Sequence, residues 1–176
     1  YGKNEKKWPD LPYHYIIAPN GMIFEGRDTQ YQPETNTKYN LDGHVGIMLY
    51  GNFEEQRVSP QQLESVTKLS AWLCDKYKID PMTIDTHKDS APGQTDCPGR
   101  DFYRYVHEGP FKDWVKDIIA GKTPEFKELP ALPEGPTVAI PMGINEKPAP
   151  RPEIKPEVKA EETKAIETKD PQEVKK

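Results

Sequence analysis

The chain has 176 residues, enough for one domain and an appendage, with 24 lysine and arginine residues against 29 aspartate and glutamate residues. The net charge of -5 argues against a nucleic-acid-binding surface, which would be basic and clustered. No apolar run reaches the length of a membrane span, and a signal peptide cannot be judged because the first residue is Tyr1 rather than Met.

The first predicted element is a β-hairpin. Its strands are two short apolar and aromatic runs, Tyr13 to Ile17 and Met22 to Phe24, which flank Asn20-Gly21. Asn-Gly is the strongest short hairpin signal, although Pro19 makes this turn longer than two residues. Residues 28 to 43 then form a polar loop that is long enough to be functional rather than a mere connector.

A buried strand and a long helix follow the polar loop. Val45 to Tyr50 is a nearly continuous apolar run, which is typical of a central buried strand. Ser59 has the character of a helix N-cap, with Pro60 in the first turn and Gln62 closing a capping box. Apolar residues then recur at helical spacing as far as Tyr77, so this helix presents one face to a sheet.

The next segment is predicted to be a short strand, Met82 to Thr86, that delivers His87 at its carboxyl end. Two helices follow, Asp101 to His107 and Phe111 to Ile119, interrupted by Gly109-Pro110. The second of them carries an apolar stripe that can pack onto the sheet. The pattern as a whole predicts an α/β fold in which a mixed central β-sheet is flanked by helices.

The composition changes after Gly121, which predicts a domain over residues 1–121 and a Pro/Lys/Glu-rich linker or tail over residues 122–176. Proline recurs there, and from Glu146 onward the only apolar residues are isolated aliphatics. Such a segment cannot bury enough apolar surface to offset its ordering entropy, so we expect it to be disordered or extended. A linker to a further domain and a solvated tail are both compatible with this composition.

His87 and Cys97 mark the most informative segment of the chain. An imidazole followed by a thiolate is a donor pair that zinc accepts. The residues between them include several turn formers, so the chain can loop back and bring Cys97 to the same point. Two ligands alone do not make a site, and other segments must complete it.

The two cysteines also permit one disulfide in an oxidising compartment. A bond between Cys74 and Cys97 would remove the metal thiolate, so it competes with zinc binding. Cys74 lies beside the apolar face of the predicted long helix, however, and a buried structural thiol is the favoured interpretation for it.

Four segments together resemble a known family. The family pattern is a Tyr-His-aromatic strand, a hairpin ending in Glu-Gly-Arg, a Gly-Ile-x-Leu-x-Gly-Asn-Phe strand and a closing His…Thr-Asp-Cys-Pro-Gly loop. The chain carries these blocks in the same order, at residues 13–15, 20–27, 46–53 and 87–99. Over roughly residues 8 to 120 it resembles the zinc-dependent N-acetylmuramoyl-L-alanine amidases, whose fold is shared by T7-type lysozyme and the peptidoglycan recognition proteins.

The resemblance implies a role for several residues. His87 and Cys97 are two of the zinc ligands, and the phenol of Tyr13 orients or deprotonates the attacking water. His14, the next residue on the strand, then faces the opposite side as a core or hydrogen-bonded histidine. Thr95 occupies the place where some relatives carry a lysine that steadies the oxyanion, and its hydroxyl is a donor without charge.

The family's first histidine ligand lies on an apolar strand well upstream of the Tyr-His strand, and this chain contains no such run. Because it starts at Tyr1, we expect a fragment whose third zinc ligand, a histidine, lies upstream of Tyr1. Residues 1–176 alone would then fold poorly and be inactive. A degenerate domain that never had this ligand is the alternative.

Three other side chains have open assignments. His44 is the internal candidate for a substitute ligand; otherwise it lines the groove or is simply exposed. Arg27 can meet a substrate carboxylate as a bidentate partner, and a structural salt bridge is the alternative. His107 falls in a helix of mixed polarity, so we expect it at the surface.

The function implied by the resemblance is zinc-dependent hydrolysis of the amide bond between N-acetylmuramic acid and L-alanine in peptidoglycan. The implied enzyme is a monomer that acts on peptidoglycan or muropeptides outside the cytoplasm, or as a phage lysin. The alternative is a non-catalytic peptidoglycan-binding module of the same fold. Binding-only relatives usually lose the cysteine, which this chain retains as Cys97. An interaction protein built around the charged tail would leave these matches unexplained.

Overall fold

The computed structural model describes residues 10–132 and 138–139, all in the first of two compact units, residues 1–145. The strands are β1 (Tyr15–Ile17), β2 (Ile23–Glu25), β3 (Ile47–Leu49), β4 (Gln56–Arg57) and β5 (Val138–Ala139). The α-helices are α1 (Pro60–Tyr77), α2 (His87–Ser90), α3 (Arg100–His107) and α4 (Phe111–Ile119), and Pro81–Thr83 forms a 3-10 turn. In the described residues, no helix combines the length and apolarity that crossing a membrane requires.

The main sheet is mixed and has the strand order β2-β1-β3. Ile16 of β1 pairs antiparallel with Phe24 of β2 and parallel with Met48 of β3. The mixed sheet with flanking helices confirms the predicted fold class. The prediction that residues 45–50 form the central buried strand is wrong: β1 is central among the described strands, and β3 is half-buried at the edge. The β3 residues are apolar because they line a cavity and contact α1.

Helix α1 is fixed to the sheet by its capping residues. The Ser59 hydroxyl accepts a hydrogen bond from the Gln62 amide at 3.0 Å, and the Gln62 side chain accepts one from the Ser59 amide at 3.3 Å. This is the predicted capping box. The side-chain Nε2 of the buried Gln62 also donates to the carbonyls of Ile17 and Tyr50, at 3.2 and 3.0 Å. One side chain therefore joins the start of α1 to the ends of β1 and β3.

The predicted strand at residues 82–86 is wrong. Pro81–Thr83 forms a 3-10 turn, and His87 is the first residue of α2 rather than the end of a strand. The Asp80 carboxylate caps this turn by accepting from the Met82 amide at 2.9 Å, and Pro81 fixes the first position. An Asp-Pro pair is a helix-start signal, and here it outweighs the β propensity of the residues that follow.

Residues 122–132, here called the strap, run against α3 and α4. The Phe126 ring packs edge-on against Trp114 with centroids 5.4 Å apart, and the Leu129 amide donates to the Tyr105 hydroxyl at 2.8 Å. Arg57 and Arg104 donate to strap carbonyls. These contacts argue for a domain end downstream of residue 121, although the boundary itself stays a prediction. Val138–Ala139 pair parallel with Gln56–Arg57. The disorder predicted for the rest of the tail lies outside the described residues.

Candidate active site around His87 and Cys97

A cavity of about 250 Å³ brings together Tyr13, His87 and Cys97. Its walls include β3, α2 and the residues just before it, Cys97-Pro98 and part of the polar loop at residues 28–43. The sequence placed these three side chains at one site only through the family resemblance. Thr95 and Arg27 are not among the lining residues.

His14 anchors the segment that carries Tyr13, just before β1. Its side chain is only 1% exposed and bridges two backbone groups. The Gly46 amide donates to Nδ1 at 2.9 Å, so Nε2 carries the proton and donates to the Tyr31 carbonyl at 2.9 Å. The prediction of a hydrogen-bonded core histidine is confirmed.

Tyr13 lies immediately before His14 and lines the cavity. Burial raises the pKa of the Tyr13 phenol, and the neighbouring Cys97 and Tyr39 raise it further. The phenol is therefore protonated at neutral pH and is available as a hydrogen-bond donor inside the cavity.

His87 opens α2, and Asp89 holds that turn in place. The Asp89 carboxylate accepts from the Thr86 amide at 2.8 Å and from the Thr86 hydroxyl at 2.5 Å. It also accepts from His107 Nε2 at 2.8 Å and from the Tyr103 hydroxyl at 3.1 Å. Burial alone would raise the pKa of Asp89, but these hydrogen bonds outweigh burial and hold it at about 2. Helix α3 is thereby tied to the turn that presents His87.

The Cys97 loop is fixed to α2 by the main chain. The Lys88 amide donates to the Cys97 carbonyl at 2.8 Å, and the Cys97 amide donates to the Thr95 hydroxyl at 3.1 Å. Both cysteine thiols are free, with Cys74 buried and Cys97 exposed, so the alternative disulfide is not formed. Partial desolvation raises the pKa of the Cys97 thiol.

Gly99 allows this loop to approach the backbone of Phe53 and Glu54, between β3 and β4, closely. Its φ is +91°, and a Cβ placed there would lie 2.4 Å from the Phe53 carbonyl carbon and from the Glu54 amide nitrogen. Real atoms do not approach that closely, so only glycine suits this position. The Gly99 amide also donates to the Asp96 carbonyl at 2.7 Å, which closes the turn around Cys97.

Sequence reasoning missed the part played by Thr35, Thr37 and Tyr39. The two threonine hydroxyls lie 3.1 and 2.6 Å from His87 Nε2, and the Tyr39 ring centroid lies 5.7 Å from that of His87. Burial lowers the pKa of His87, which favours the neutral ring. The only sequence signal for these residues was the length and polarity of their loop. His44 also lines the cavity, is exposed, and has Nδ1 3.1 Å from the Asp42 carbonyl.

Arg27 is 6% exposed and is held by its own domain. Its guanidinium donates to the carbonyls of Leu11 and Gln32, at 2.9 and 2.6 Å, and pairs with the Glu34 carboxylate at 3.3 Å. The salt-bridge alternative is therefore present in the structure. A contact between Arg27 and a substrate carboxylate stays a prediction.

A second group of possible metal ligands lies behind α2. Within the described ranges, Asp85, Asp89 and His107 offer ligand atoms within 4.8 Å of one another. The Asp89 carboxylate already accepts four hydrogen bonds, one of them from His107 itself. We therefore assign this group a structural role. His107 is exposed, as expected, yet its Nε2 is hydrogen-bonded to Asp89 at 2.8 Å and its ring is stacked on Tyr103 at 4.3 Å.

The donor set in the cavity fits zinc in kind. The imidazole of His87 and the thiol of Cys97 line the same cavity. The backbone hydrogen bond from the Lys88 amide to the Cys97 carbonyl holds the two segments together. A catalytic zinc site commonly uses three protein ligands. Among residues 10–132 and 138–139, no third histidine, cysteine or carboxylate forms a close group with His87 and Cys97. The described residues thus contain two of the expected three.

Two curated proteins are similar to this chain over more than half of its length. Peptidoglycan-recognition protein SD of Drosophila melanogaster is 30% identical over 121 residues, which cover 65% of this chain and 60% of that protein. The endolysin of Escherichia phage T7 is 28% identical over 106 residues, which cover 57% of this chain and 67% of the endolysin. The chain therefore spans about 60% of the length of the recognition protein.

Two solved structures share the fold. N-acetylmuramoyl-L-alanine amidase LysC from Clostridium intestinale URNW aligns with a TM-score of 0.52 and 31% identity, covering 65% of this chain and 68% of that one. Drosophila PGRP-SD aligns with a TM-score of 0.55 and 26% identity, covering 62% and 63%. The family model described as N-acetylmuramoyl-L-alanine amidase, Amidase_2, matches residues 1–100. Since that match covers more than half of the chain, the protein belongs to the N-acetylmuramoyl-L-alanine amidase family.

Proposed function

We propose that this protein is a zinc-dependent hydrolase that cleaves the amide bond between N-acetylmuramic acid and L-alanine in peptidoglycan. The observation that carries the proposal is the single cavity lined by Tyr13, His87 and Cys97. Membership of the amidase family and similarity to phage endolysins support the same activity. The proposal includes action as a monomer, outside the cytoplasm or during phage lysis, with peptidoglycan or muropeptides as substrate.

His87 and Cys97 are the residues that would hold the metal. When bound, zinc lowers the pKa of water towards about 7 and polarises a carbonyl, which makes an amide open to hydrolysis. In this proposal the Tyr13 phenol, which is protonated at neutral pH, would orient the attacking water and take part in proton transfer through its hydroxyl oxygen. Thr95 is the proposed oxyanion partner, and its hydroxyl hydrogen can donate while its oxygen accepts from the Cys97 amide.

The metal test compares Cys97→Ser with Cys74→Ala. We expect the full-length protein to contain about one zinc per chain and Cys97→Ser to lose most of it, because the softer ligand is removed. Cys74 is buried, free and outside the cavity lining, so Cys74→Ala should retain zinc. The measurement is elemental analysis after dialysis. Stoichiometric zinc in Cys97→Ser would contradict the ligand assignment.

The catalytic test compares Tyr13→Phe with Tyr50→Phe. Loss of the cavity phenol should lower kcat by about 10² to 10⁴, the usual contribution of a positioned proton-transfer group, with zinc content unchanged. Tyr50 is 63% exposed and outside the cavity lining, so Tyr50→Phe should turn over normally. Release of free L-alanine amino groups from a soluble muropeptide is the measurement. Normal turnover in Tyr13→Phe would show that another residue carries out the proton transfer.

A non-catalytic peptidoglycan-binding module remains the second candidate function. The properties of Thr95 favour this candidate, because its hydroxyl brings no charge that could stabilise an oxyanion. Thr95 also lies outside the cavity lining, and its oxygen already accepts from the Cys97 amide. Similarity to a peptidoglycan-recognition protein is consistent with it. The two functions separate when the zinc-loaded protein is mixed with muropeptide. Binding with release of L-alanine amino groups supports the hydrolase, and saturable binding with no release supports the binding module.

A further inference from the structure

The polar loop at residues 28–43 contacts the ring of His87 directly. The Thr37 hydroxyl oxygen lies 2.6 Å from His87 Nε2, and the Thr35 hydroxyl oxygen lies 3.1 Å from the same nitrogen. Among the described residues, the His87 ring forms hydrogen bonds only with these two hydroxyls, and both contacts are at Nε2. The loop therefore occupies Nε2, and among the described residues Nδ1 has no hydrogen-bond partner.

The tautomer decides what this contact does. A histidine that binds a metal does so through an unprotonated nitrogen, and the partner of its other N–H fixes the tautomer and the ring orientation. We propose that Thr37, supported by Thr35, is a positioning residue that accepts the Nε2 proton of His87 and so presents Nδ1 as the metal-binding nitrogen. This inference rests on the proposed function, in which His87 is a zinc ligand.

The hydroxyl pair has lone pairs that can accept this proton. The Thr35 oxygen accepts from the Thr37 amide at 3.2 Å and lies 2.8 Å from the Thr37 hydroxyl oxygen. When the Thr35 hydroxyl donates to Thr37, the Thr37 oxygen keeps a lone pair for His87 Nε2. The short turn from Thr35 to Thr37 thus acts as one acceptor unit.

The ring and the backbone of His87 are held independently. Asp89 fixes the main chain through Thr86, the residue that precedes His87, whereas the threonine hydroxyls act only on the imidazole. Removing the Thr37 hydroxyl should therefore free the ring without unfolding α2. Loss of such an outer-shell partner typically lowers metal affinity by about 10- to 100-fold.

The test uses two substitutions of Thr37 that differ in the hydroxyl. Thr37→Val keeps the branched shape and removes the acceptor, whereas Thr37→Ser keeps the acceptor. We expect Thr37→Val to bind zinc about 10- to 100-fold more weakly in a chelator competition, and Thr37→Ser to bind close to the wild type. Thr29→Val is the matched control, because the Thr29 hydroxyl contacts Tyr77 rather than His87.

A second measurement needs neither metal nor activity. Long-range proton–nitrogen NMR spectra of the zinc-free full-length protein report which nitrogen of His87 is protonated. We expect the Nε2–H tautomer in the wild type and Thr37→Ser, and a mixture of tautomers in Thr37→Val. An Nδ1–H tautomer in the wild type, or an unchanged zinc affinity in Thr37→Val, would overturn the proposal. Absence of zinc binding in every variant would instead overturn the proposed function, while the tautomer still decides whether the hydroxyls orient the ring.

Discussion

Asp89 shows how much of a site depends on a residue that does not line it. Its carboxylate gathers hydrogen bonds from Thr86, Tyr103 and His107 and so fixes the turn from which His87 projects. The sequence identified His87 and Cys97 because donor type and family pattern single them out. It did not single out Asp89, because a carboxylate two residues after a histidine has no distinctive chemistry until the fold brings α3 beside it.

Asp89→Asn should destabilise the protein by about 1–3 kcal/mol at pH 7, because at least one buried donor loses its acceptor. The folded-state pKa of Asp89 is depressed from 3.8 to about 2. Between these values the unfolded chain binds more protons, so this stabilisation is complete above about pH 4 and is lost as the pH falls towards 2. Urea unfolding of both proteins between pH 7 and pH 3 should show the difference shrinking below pH 4.

Asp75→Asn is the control for that measurement. Asp75 is 71% exposed on α1 and pairs only with the exposed Lys78, so its removal should change the free energy of unfolding very little. An Asp89→Asn variant as stable as Asp75→Asn at pH 7 would show that the hydrogen bonds to Asp89 are dispensable.

At the scale of elements, sequence patterns predicted what local signals determine. Helix α1 starts where Ser59 and Gln62 predicted, and α3 and α4 match their expected ranges to within a residue. The failure at residues 82–86 arose because short apolar runs suit a strand and a turn equally until the Asp80 cap is seen. The close approach of Gly99 to the backbone of Phe53 and Glu54 could not be predicted either, because it joins segments far apart in the sequence.

Gly99→Ala should cost the protein more stability than Gly93→Ala. Both glycines have positive φ, at +91° and +72°, so each alanine pays roughly 1 kcal/mol for the left-handed backbone. Only at Gly99 does the new Cβ meet backbone atoms at 2.4 Å, whereas the space around Gly93 is open. We expect Gly99→Ala to lose more than about 2 kcal/mol in urea unfolding and to bind zinc more weakly, because Cys97 must move. Equal losses in the two variants would show that the loop relaxes freely.

At the scale of the molecule, the strap at residues 122–132 packs against α3 and α4 downstream of the compositional change at residue 121. Composition could not reveal this, because the strap is held partly through its main chain, alongside the packing of Phe126 and Leu129 against the core and the ion pair between Glu128 and Arg57. Arg57 donates to the Leu129 carbonyl at 2.6 Å, and Arg104 donates to that of Pro130. Carbonyl acceptors are available in any sequence, so a Pro- and Glu-rich segment can serve this purpose as well as an apolar one.

Two truncations test the strap. Ending the chain after Gly121 removes the carbonyl groups that accept from Arg57 and Arg104, and it removes the Phe126 ring that packs on Trp114. We expect this truncation to lower the free energy of unfolding by at least about 2 kcal/mol. Ending it after Asn145 keeps the strap, and we expect unchanged stability and unchanged turnover of soluble muropeptides. Differential scanning calorimetry of the two truncated proteins measures the difference. Identical melting temperatures would place the domain end near residue 121 after all.

The cavity has a consequence for synthesis on the ribosome. Its walls include Tyr13, which precedes α1, Cys97, which follows it, and residues of the loop at 28–43. A nascent chain that has emerged only as far as α1 therefore has the phenol but neither candidate ligand. Because contacts between distant segments form only once both are available, the candidate site cannot assemble before the residues around Cys97 have left the exit tunnel.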